Sequence, residues 1–117
     1  MSSSALISSI ASLEATMDKL PIQVWQMSFA CTYGRVNAAH AAFLGKTQAE
    51  IEQQPIESVL PAADAAAVIT QTRSTFEARQ PVESEQWRTD AAGNRRLLRI
   101  YMAPVIDEAG KIQYLSC

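Results

Sequence analysis

The stretch Pro81–Pro104 reads PVESEQWR, then TDAAGN, then RRLLRIYMAP, and it predicts two strands joined by a polar turn in the middle of a sheet. The second strand alternates between two sets of side chains: Leu98, Ile100 and Met102 in one set, and Leu97, Arg99 and Tyr101 in the other. Side chains repeat every two residues along a strand, so the two sets lie on opposite faces. The aliphatic set is predicted to face the core. The other set is predicted to form a surface that an N-terminal helix or a second subunit covers.

The composition is that of one globular domain. The chain has 117 residues, of which 48% are hydrophobic, and its formal net charge is −2. A negative charge argues against nucleic-acid and anionic-membrane partners, because both require a positive field. The start lacks a secretory signal and no stretch approaches the length of an apolar membrane span, which favours a cytoplasmic location. Cys31 and Cys117 have no metal or redox spacing and are interpreted as reduced thiols, with a bridge between them left open.

An amphipathic helix is predicted over residues 2–20. Its apolar positions are spaced by three and four residues, as in a heptad seam: Leu6, Ile10, Leu13, Met17 and Leu20. A helix of this length needs a partner surface in water. The seam either packs on the domain's own sheet or forms a dimer contact, and the sequence leaves both open.

Short elements follow in the first half of the domain. Strands are predicted at residues 22–29 and 33–36, and a helix at 38–44 begins after Asn37 and closes at Gly45. A capping box at residues 47–50 starts another short helix, and residues 56–60 form one turn.

The longest internal helix is predicted at residues 65–78, with Asp64 as its N-cap. After the hairpin of residues 81–104, a second hairpin turns at residues 107–110. Strands and helices are segregated, which predicts an α+β fold with one five-stranded antiparallel sheet.

The order of these pieces resembles the PAS domain, a sensory fold of bacterial signalling proteins. The resemblance rests on motifs at family spacing: Leu20-Pro21 before Val24-Trp25, Val36-Asn37-Ala38-Ala39, Leu44-Gly45, Thr47-Gln48-Ala49-Glu50-Ile51, Pro61 with Asp64, Arg88 before Asp90 and Gly93, and Ala103-Pro104-Val105 before Asp107 and Gly110. It divides the chain into an N-terminal helix, residues 1–20, and a PAS-like domain, residues 21–117, of a longer protein. The chain departs from the family at His40, where an aromatic is usual, and near Cys31, where a glycine is usual.

The resemblance implies helices over one face of the sheet, a small pocket, dimers through the N-terminal helix and the outer sheet face, and a downstream output domain in the same chain. That output is expected to be a histidine kinase or a diguanylate cyclase. The candidate pocket residues are His40, Ile69, Thr72, Phe76, Leu98, Ile100 and Met102. As a lone histidine, His40 either contacts a polar ligand or is a hydrogen-bonded core residue.

Two arginines of the hairpin need separate interpretation. Arg88 and Arg99 would pair with a ligand carboxylate if they faced inward. The favoured interpretation places both on the outer face, in cross-strand pairs with Glu83 or Glu85.

The residue types present restrict the cofactors that the domain could hold. Haem requires an axial ligand, and residues 65–78 contain no histidine. A covalent flavin adduct requires a cysteine in an Asn-Cys-Arg context, which neither cysteine has. A non-covalent flavin or a small metabolite remains compatible, since Trp25 and Trp87 are able to stack on a ring, although both are favoured as core or sheet-cover residues. No catalytic or metal-binding set is predicted.

Three functions therefore compete. The favoured one is a regulatory sensor that binds a small molecule or a partner and shifts a dimer between two arrangements. A ligand-free dimerisation module is the second, and an α+β enzyme or ligand carrier is the third. A polar cavity near His40, Ile69, Thr72 and Met102 favours ligand sensing, and a pocket filled by Phe43, Phe76 and Trp87 favours pure dimerisation.

Overall fold

The structure, a computed structural model, describes residues 15–117. Residues 15–19 are helical and precede the first strand. The strands are β1 (Trp25–Met27), β2 (Tyr33–Val36), β3 (Val82–Thr89), β4 (Arg95–Ile106) and β5 (Ile112–Ser116). The helices between β2 and β3 are α1 (Ala38–Leu44), α2 (Gln48–Ile51), α3 (Ile56–Val59) and α4 (Ala62–Ala78).

The five strands form one antiparallel sheet with the order β2-β1-β5-β4-β3. The predicted α+β fold is therefore confirmed. The prediction that the hairpin of residues 81–104 lies in the middle of the sheet is wrong for its first strand, because β3 is an edge strand. Its second strand, β4, does have neighbours on both sides, since β5 returns between β4 and β1.

The predicted faces of β4 are confirmed. Ile100 and Met102 are buried, whereas Leu97 and Tyr101 are 51% and 55% exposed. Helix α4 covers the inner face, where the Thr72 hydroxyl lies 3.8 Å from the Met102 sulfur. The core thus lies between α4 and the sheet, and residues 15–117 leave Leu97 and Tyr101 on the opposite face accessible.

Helix α1 has the predicted ends. Asn37 has extended backbone geometry, and its side-chain oxygen accepts the His40 N–H, which makes it the N-cap. Gly45 has a φ of 69°, the left-handed conformation that favours glycine at a helix C-terminus. A Cβ at position 45 would lie 2.8 Å from the Cβ of Ala91 in the β3–β4 turn. Glycine is therefore favoured at position 45 for two reasons, the left-handed backbone conformation and the close approach of Ala91.

Gly45→Ala is expected to lower the free energy of unfolding by about 2 kcal/mol, because backbone strain and the contact with Ala91 add together. The measurement is urea denaturation followed by circular dichroism. Gly93→Ala is the control, since Gly93 has a φ of 83° and a Cβ at that position would have nothing within 4 Å, so this variant reports backbone strain alone. The double variant Gly45→Ala/Ala91→Gly should recover the part of the stability loss by which Gly45→Ala exceeds Gly93→Ala. Equal losses in both single variants would contradict a role for the Ala91 contact.

Helix α4 begins earlier than predicted. It starts at Ala62 with Pro61 in the N-cap position, so the prediction of Asp64 as N-cap is wrong. A proline fits the helix start because its missing N–H has no intrahelical partner there. The Asp64 carboxylate instead accepts the Thr89 N–H at 2.8 Å and pairs with Arg95 at 2.7 Å. Burial raises the pKa of this carboxyl, but these hydrogen bonds outweigh it and the pKa is lowered.

Both cysteines are free thiols, which excludes the bridge left open by the sequence. Cys31 has a φ of 58°, so it adopts the left-handed geometry of the glycine that the family resemblance places near it. The first strand is also shorter than predicted, with three residues instead of the range 22–29.

The predicted dimer seam falls mostly outside the described residues. Leu6, Ile10 and Leu13 are not described. Met17 is half-buried and Leu20 is 36% exposed. Within residues 15–117, no helix combines the length and the apolar character needed to cross a membrane.

Candidate functional site

A set of polar side chains is buried on the inner side of the sheet, and we call it the polar cluster. It comprises Trp25 from β1, Tyr33 from β2, His40 from α1, and Gln86 and Arg88 from β3. Each is at least nine-tenths buried. Four elements therefore bring their polar groups to one place in the interior.

His40 lies at the centre of the polar cluster. Its ring stacks on Trp25 with a centroid separation of 4.5 Å and an interplanar angle of 19°. Its Nδ1 lies 2.8 Å from Gln23 Oε1, and its Nε2 lies 3.1 Å from the Tyr33 hydroxyl. Because Gln23 Oε1 only accepts, Nδ1 carries the proton and Nε2 accepts from Tyr33. Burial, together with the charge of Arg88, lowers the pKa of His40 to about 3, so its ring is neutral at physiological pH.

Tyr33 connects His40 to Arg88. The Arg88 guanidinium lies within hydrogen-bonding reach of the Tyr33 hydroxyl. Since arginine only donates, the hydroxyl oxygen accepts from Arg88 while its proton points to His40. Burial raises the pKa of Tyr33 to about 12 despite the nearby guanidinium. The polar cluster therefore holds one positive charge next to two neutral rings.

Several polar atoms of the cluster remain unpaired. Within residues 15–117, the Nε and Nη1 of Arg88, the Nε1 of Trp25 and the Oε1 of Gln86 have no hydrogen-bond partner. Arg88 is 2% exposed, and burial lowers its pKa. Buried polar and charged atoms without partners are energetically costly, so these atoms are candidates for contacts with a further molecule.

Gln71 of α4 connects the polar cluster to the helix that covers the sheet, through a hydrogen bond with Gln86. Its amide nitrogen donates to the carbonyl oxygens of Val82 and Ile100, at 3.0 and 2.9 Å. Its amide oxygen accepts from Ser84 and Gln86, at 2.7 and 2.6 Å. This side chain fixes α4 over the β3–β4 hairpin and orients Gln86.

A groove of about 480 Å³ lies beside the polar cluster. Its walls include Gln23 and Trp25, so it adjoins the residues that contact His40. The β4 wall is formed by residues 98–101, and the groove therefore extends to the outer-face residues Arg99 and Tyr101. The volume falls within the range of small-molecule sites.

The structure places the candidate pocket residues at different depths. His40, Thr72, Ile100 and Met102 are buried, whereas Ile69, Phe76 and Leu98 are partly buried against the core. Phe76 packs edge-on against Phe29, with a centroid separation of 5.3 Å. The role of the candidate pocket residues in ligand binding stays a prediction.

Sequence reasoning placed one arginine wrongly. Arg99 lies on the outer face, with Glu83 at 3.1 Å and Glu85 at 3.5 Å, as favoured. Arg88 faces inward, so the favoured outer-face interpretation is wrong for it. The pairing of the two strands indicates the inward orientation. Gln86 lies opposite Leu98, which belongs to the set predicted to face the core, and Arg88 lies on the same face as Gln86.

A pure dimerisation module was expected to have its pocket filled by Phe43, Phe76 and Trp87, and of these three the core cluster includes only Phe76, which is partly buried. Trp87 is 56% exposed on the outer face of β3, and Phe43 lines a surface groove with residues 90–92. Trp25 is buried on the inner side, so Trp25 and Trp87 are unable to stack on the two sides of one flavin ring. In the part of the chain from residue 15 onward, no three His, Cys, Asp or Glu side chains are close enough to hold a metal ion.

Comparison with known proteins agrees on the fold. The PAS fold family matches residues 30–117. No curated protein matches the sequence. A PAS domain of an HTR-like protein from Haloarcula marismortui has a TM-score of 0.74 and 22% identity, covering 97% of this chain and 92% of that one. The PAS domain of the Cronobacter turicensis quorum-sensing receptor RpfR in complex with BDSF has a TM-score of 0.66 and 18% identity, covering 85% and 91%.

The VqmA–ligand–DNA complex from Vibrio cholerae has a TM-score of 0.78 and 18% identity, covering 94% of this chain and 48% of that chain. This chain spans about half the length of the VqmA structures that it matches. The prediction of no nucleic-acid partner is wrong, because a domain of this fold is part of a receptor that binds DNA. The charge of the domain alone does not decide the partners of the whole protein. The match over residues 30–117 and the shared architecture establish that the chain belongs to the PAS family of sensory domains.

Proposed function

We propose that this chain is a sensor domain that binds a small molecule in its interior and passes a conformational change to an output domain. The buried polar cluster carries the proposal, because its unpaired donors and acceptor lie on elements that a bound molecule would connect. A ligand that contacts several elements at once shifts their relative positions by its differential affinity for the two arrangements.

The change is proposed to travel through a dimer. On the outer face, Trp87, Leu97 and Tyr101 are each more than half exposed and provide apolar area for a second subunit. The proposed outputs are a histidine kinase or a diguanylate cyclase in the full-length protein. The N-terminal helix would form part of the dimer contact. Hydrogen bonds of Asn37 and Asp18 attach its end to the start of α1.

Native mass spectrometry of the purified chain tests the proposal. The expected result is a small molecule that stays bound under native conditions and is released on denaturation. A chain that carries no molecule, and whose thermal midpoint is unchanged by a metabolite extract of the expression host, would instead support a ligand-free dimerisation module.

A further inference from the structure

We infer that Arg88 binds the acid group of a small organic acid whose apolar body lies along the neighbouring groove. The inference rests on the proposed ligand-sensing function and names the chemical class of the ligand. It starts from the position of Arg88 on the inner face of the edge strand β3, where its side chain is 2% exposed.

The charge of Arg88 has no dedicated counter-ion in the described part of the chain. Asp64 is the acidic group that acts on it electrostatically, but the two Asp64 oxygens already accept from Thr89 and Arg95. Tyr33 and His40 are both neutral at physiological pH, so neither compensates the charge. A buried guanidinium is stable when an anion of good geometry pairs with it, and arginine is the residue best suited to carboxylate and phosphate groups.

The unpaired atoms define the polar end of the ligand. Arg88 offers Nε and Nη1, and Trp25 offers Nε1, so the open positions are mostly donors. Donors bind acceptor oxygens, and an ionised acid group presents only acceptors. The unpaired Oε1 of Gln86, two residues before Arg88 on the same face, would accept from a hydroxyl or amide on the ligand.

The surroundings define the apolar end. The groove of about 480 Å³ is lined by Trp25, Leu98 and Ile100, and also by Arg99, whose charge is paired with Glu83 and Glu85. Leu98 lies opposite Gln86 in the β3–β4 register, so the apolar wall begins next to the polar cluster. An acid with an aliphatic or aromatic body of modest size fits this division better than a highly polar metabolite.

The test compares acids with amides of the same shape on the full 117-residue chain. The probes are hexanoate and benzoate, with hexanamide, benzamide and inorganic phosphate as controls, titrated by calorimetry and by thermal midpoint. We expect at least one of the two acids to bind and to raise the midpoint of the wild-type chain. Its matched amide should bind about tenfold more weakly or less, because one charge-assisted hydrogen bond accounts for at least that ratio. Phosphate alone should have no effect, since it has no apolar body.

Arg88→Met removes the charge and keeps the length of the side chain. We expect it to abolish the preference for acids and to leave the ligand-free midpoint unchanged or higher, since it removes an unpaired buried charge. Arg88→Lys keeps the charge but not the planar fork, so it should retain a weaker preference for the acid. Arg73→Met is the matched control, because Arg73 is exposed on α4 and lies outside the groove, and it should bind like the wild type.

Each other outcome overturns the inference. An acid preference that survives in Arg88→Met would place the anion elsewhere. Failure of both acids to bind would reject the assigned ligand class. A loss of folding in Arg88→Met would assign the arginine to structure. Failure of the proposed function remains distinguishable, because a neutral molecule retained by wild type and Arg88→Met alike in native mass spectrometry would keep ligand sensing and reject only the acid.

Discussion

Asn37→Ala is expected to lower the free energy of unfolding by about 3 kcal/mol, and the thermal midpoint by roughly 15 °C. Asn37 is 1% exposed and uses its whole amide group. The oxygen accepts the N–H groups of Val24 and His40, both at 3.0 Å. The nitrogen donates to the carbonyl oxygens of Met17 and Ile22, at 3.0 and 2.8 Å. Alanine removes the helix cap and leaves four backbone groups without this partner.

The same variant should loosen the attachment of the N-terminal segment. Hydrogen exchange at residues 17–24 is expected to rise more than exchange in β4, because the lost bonds join this segment to α1. Asn94→Ala is the matched control, since Asn94 is exposed in the β3–β4 turn and its backbone N–H keeps its bond to Asp90. That control should stay within about 0.5 kcal/mol of the wild type. A loss in Asn37→Ala no larger than in Asn94→Ala would contradict the role of the buried amide.

Acidification from pH 7.5 to pH 5 is expected to cost about 2 kcal/mol of stability through His40 alone. The pKa of His40 is lowered to about 3 by burial and by Arg88, whereas the unfolded chain has the ordinary value of 6.5. Between these values the unfolded state binds one more proton than the folded state. Stability therefore falls as the pH drops below about 6.5 and continues to fall until about pH 3.

Chemical denaturation at several pH values between 5 and 7.5 measures this effect. Carboxyl groups with lowered pKa values, such as Asp64 and Asp90, keep their stabilising charge in that window and lose it at lower pH. His40→Gln removes the titrating group, so its stability should be nearly flat between pH 5 and 7.5, whatever its absolute value. Equal pH dependence in the variant and the wild type would show that His40 does not carry the effect.

The local elements were predictable because each is encoded by residues close in sequence. Asn37 and Gly45 bound α1 as expected, since a cap and a left-handed residue act through the adjacent backbone. The capping box of Thr47 and Glu50 also forms, with both reciprocal bonds present. Asp64 was predicted as a cap for the same reason, but a proline three residues earlier starts the helix, which frees the carboxylate for a contact with β3 and β4.

The interior site was only partly predictable. His40 was singled out because it is the only histidine, and Thr72, Ile100 and Met102 followed from helix and strand periodicity. Tyr33 and Gln86 were missed as members of the site, and Arg88 was considered as a partner of a ligand carboxylate but was favoured on the outer face. Glutamine and arginine are mostly exposed in folded proteins, so the tryptophan between them was the stronger candidate for the core.

The sequence by itself determined the α+β class, the order of the elements, the ends of α1 and the two faces of β4, because alternation and capping depend on neighbours along the chain. Only the tertiary structure decided that β5 lies between β1 and β4, that β3 is at the edge, and that Arg88 turns inward to Tyr33 and His40. These features join residues far apart in the chain. Gln71 of α4, for example, bonds to the carbonyl oxygens of Val82 and Ile100 on the two strands of the hairpin, and no local pattern records that packing.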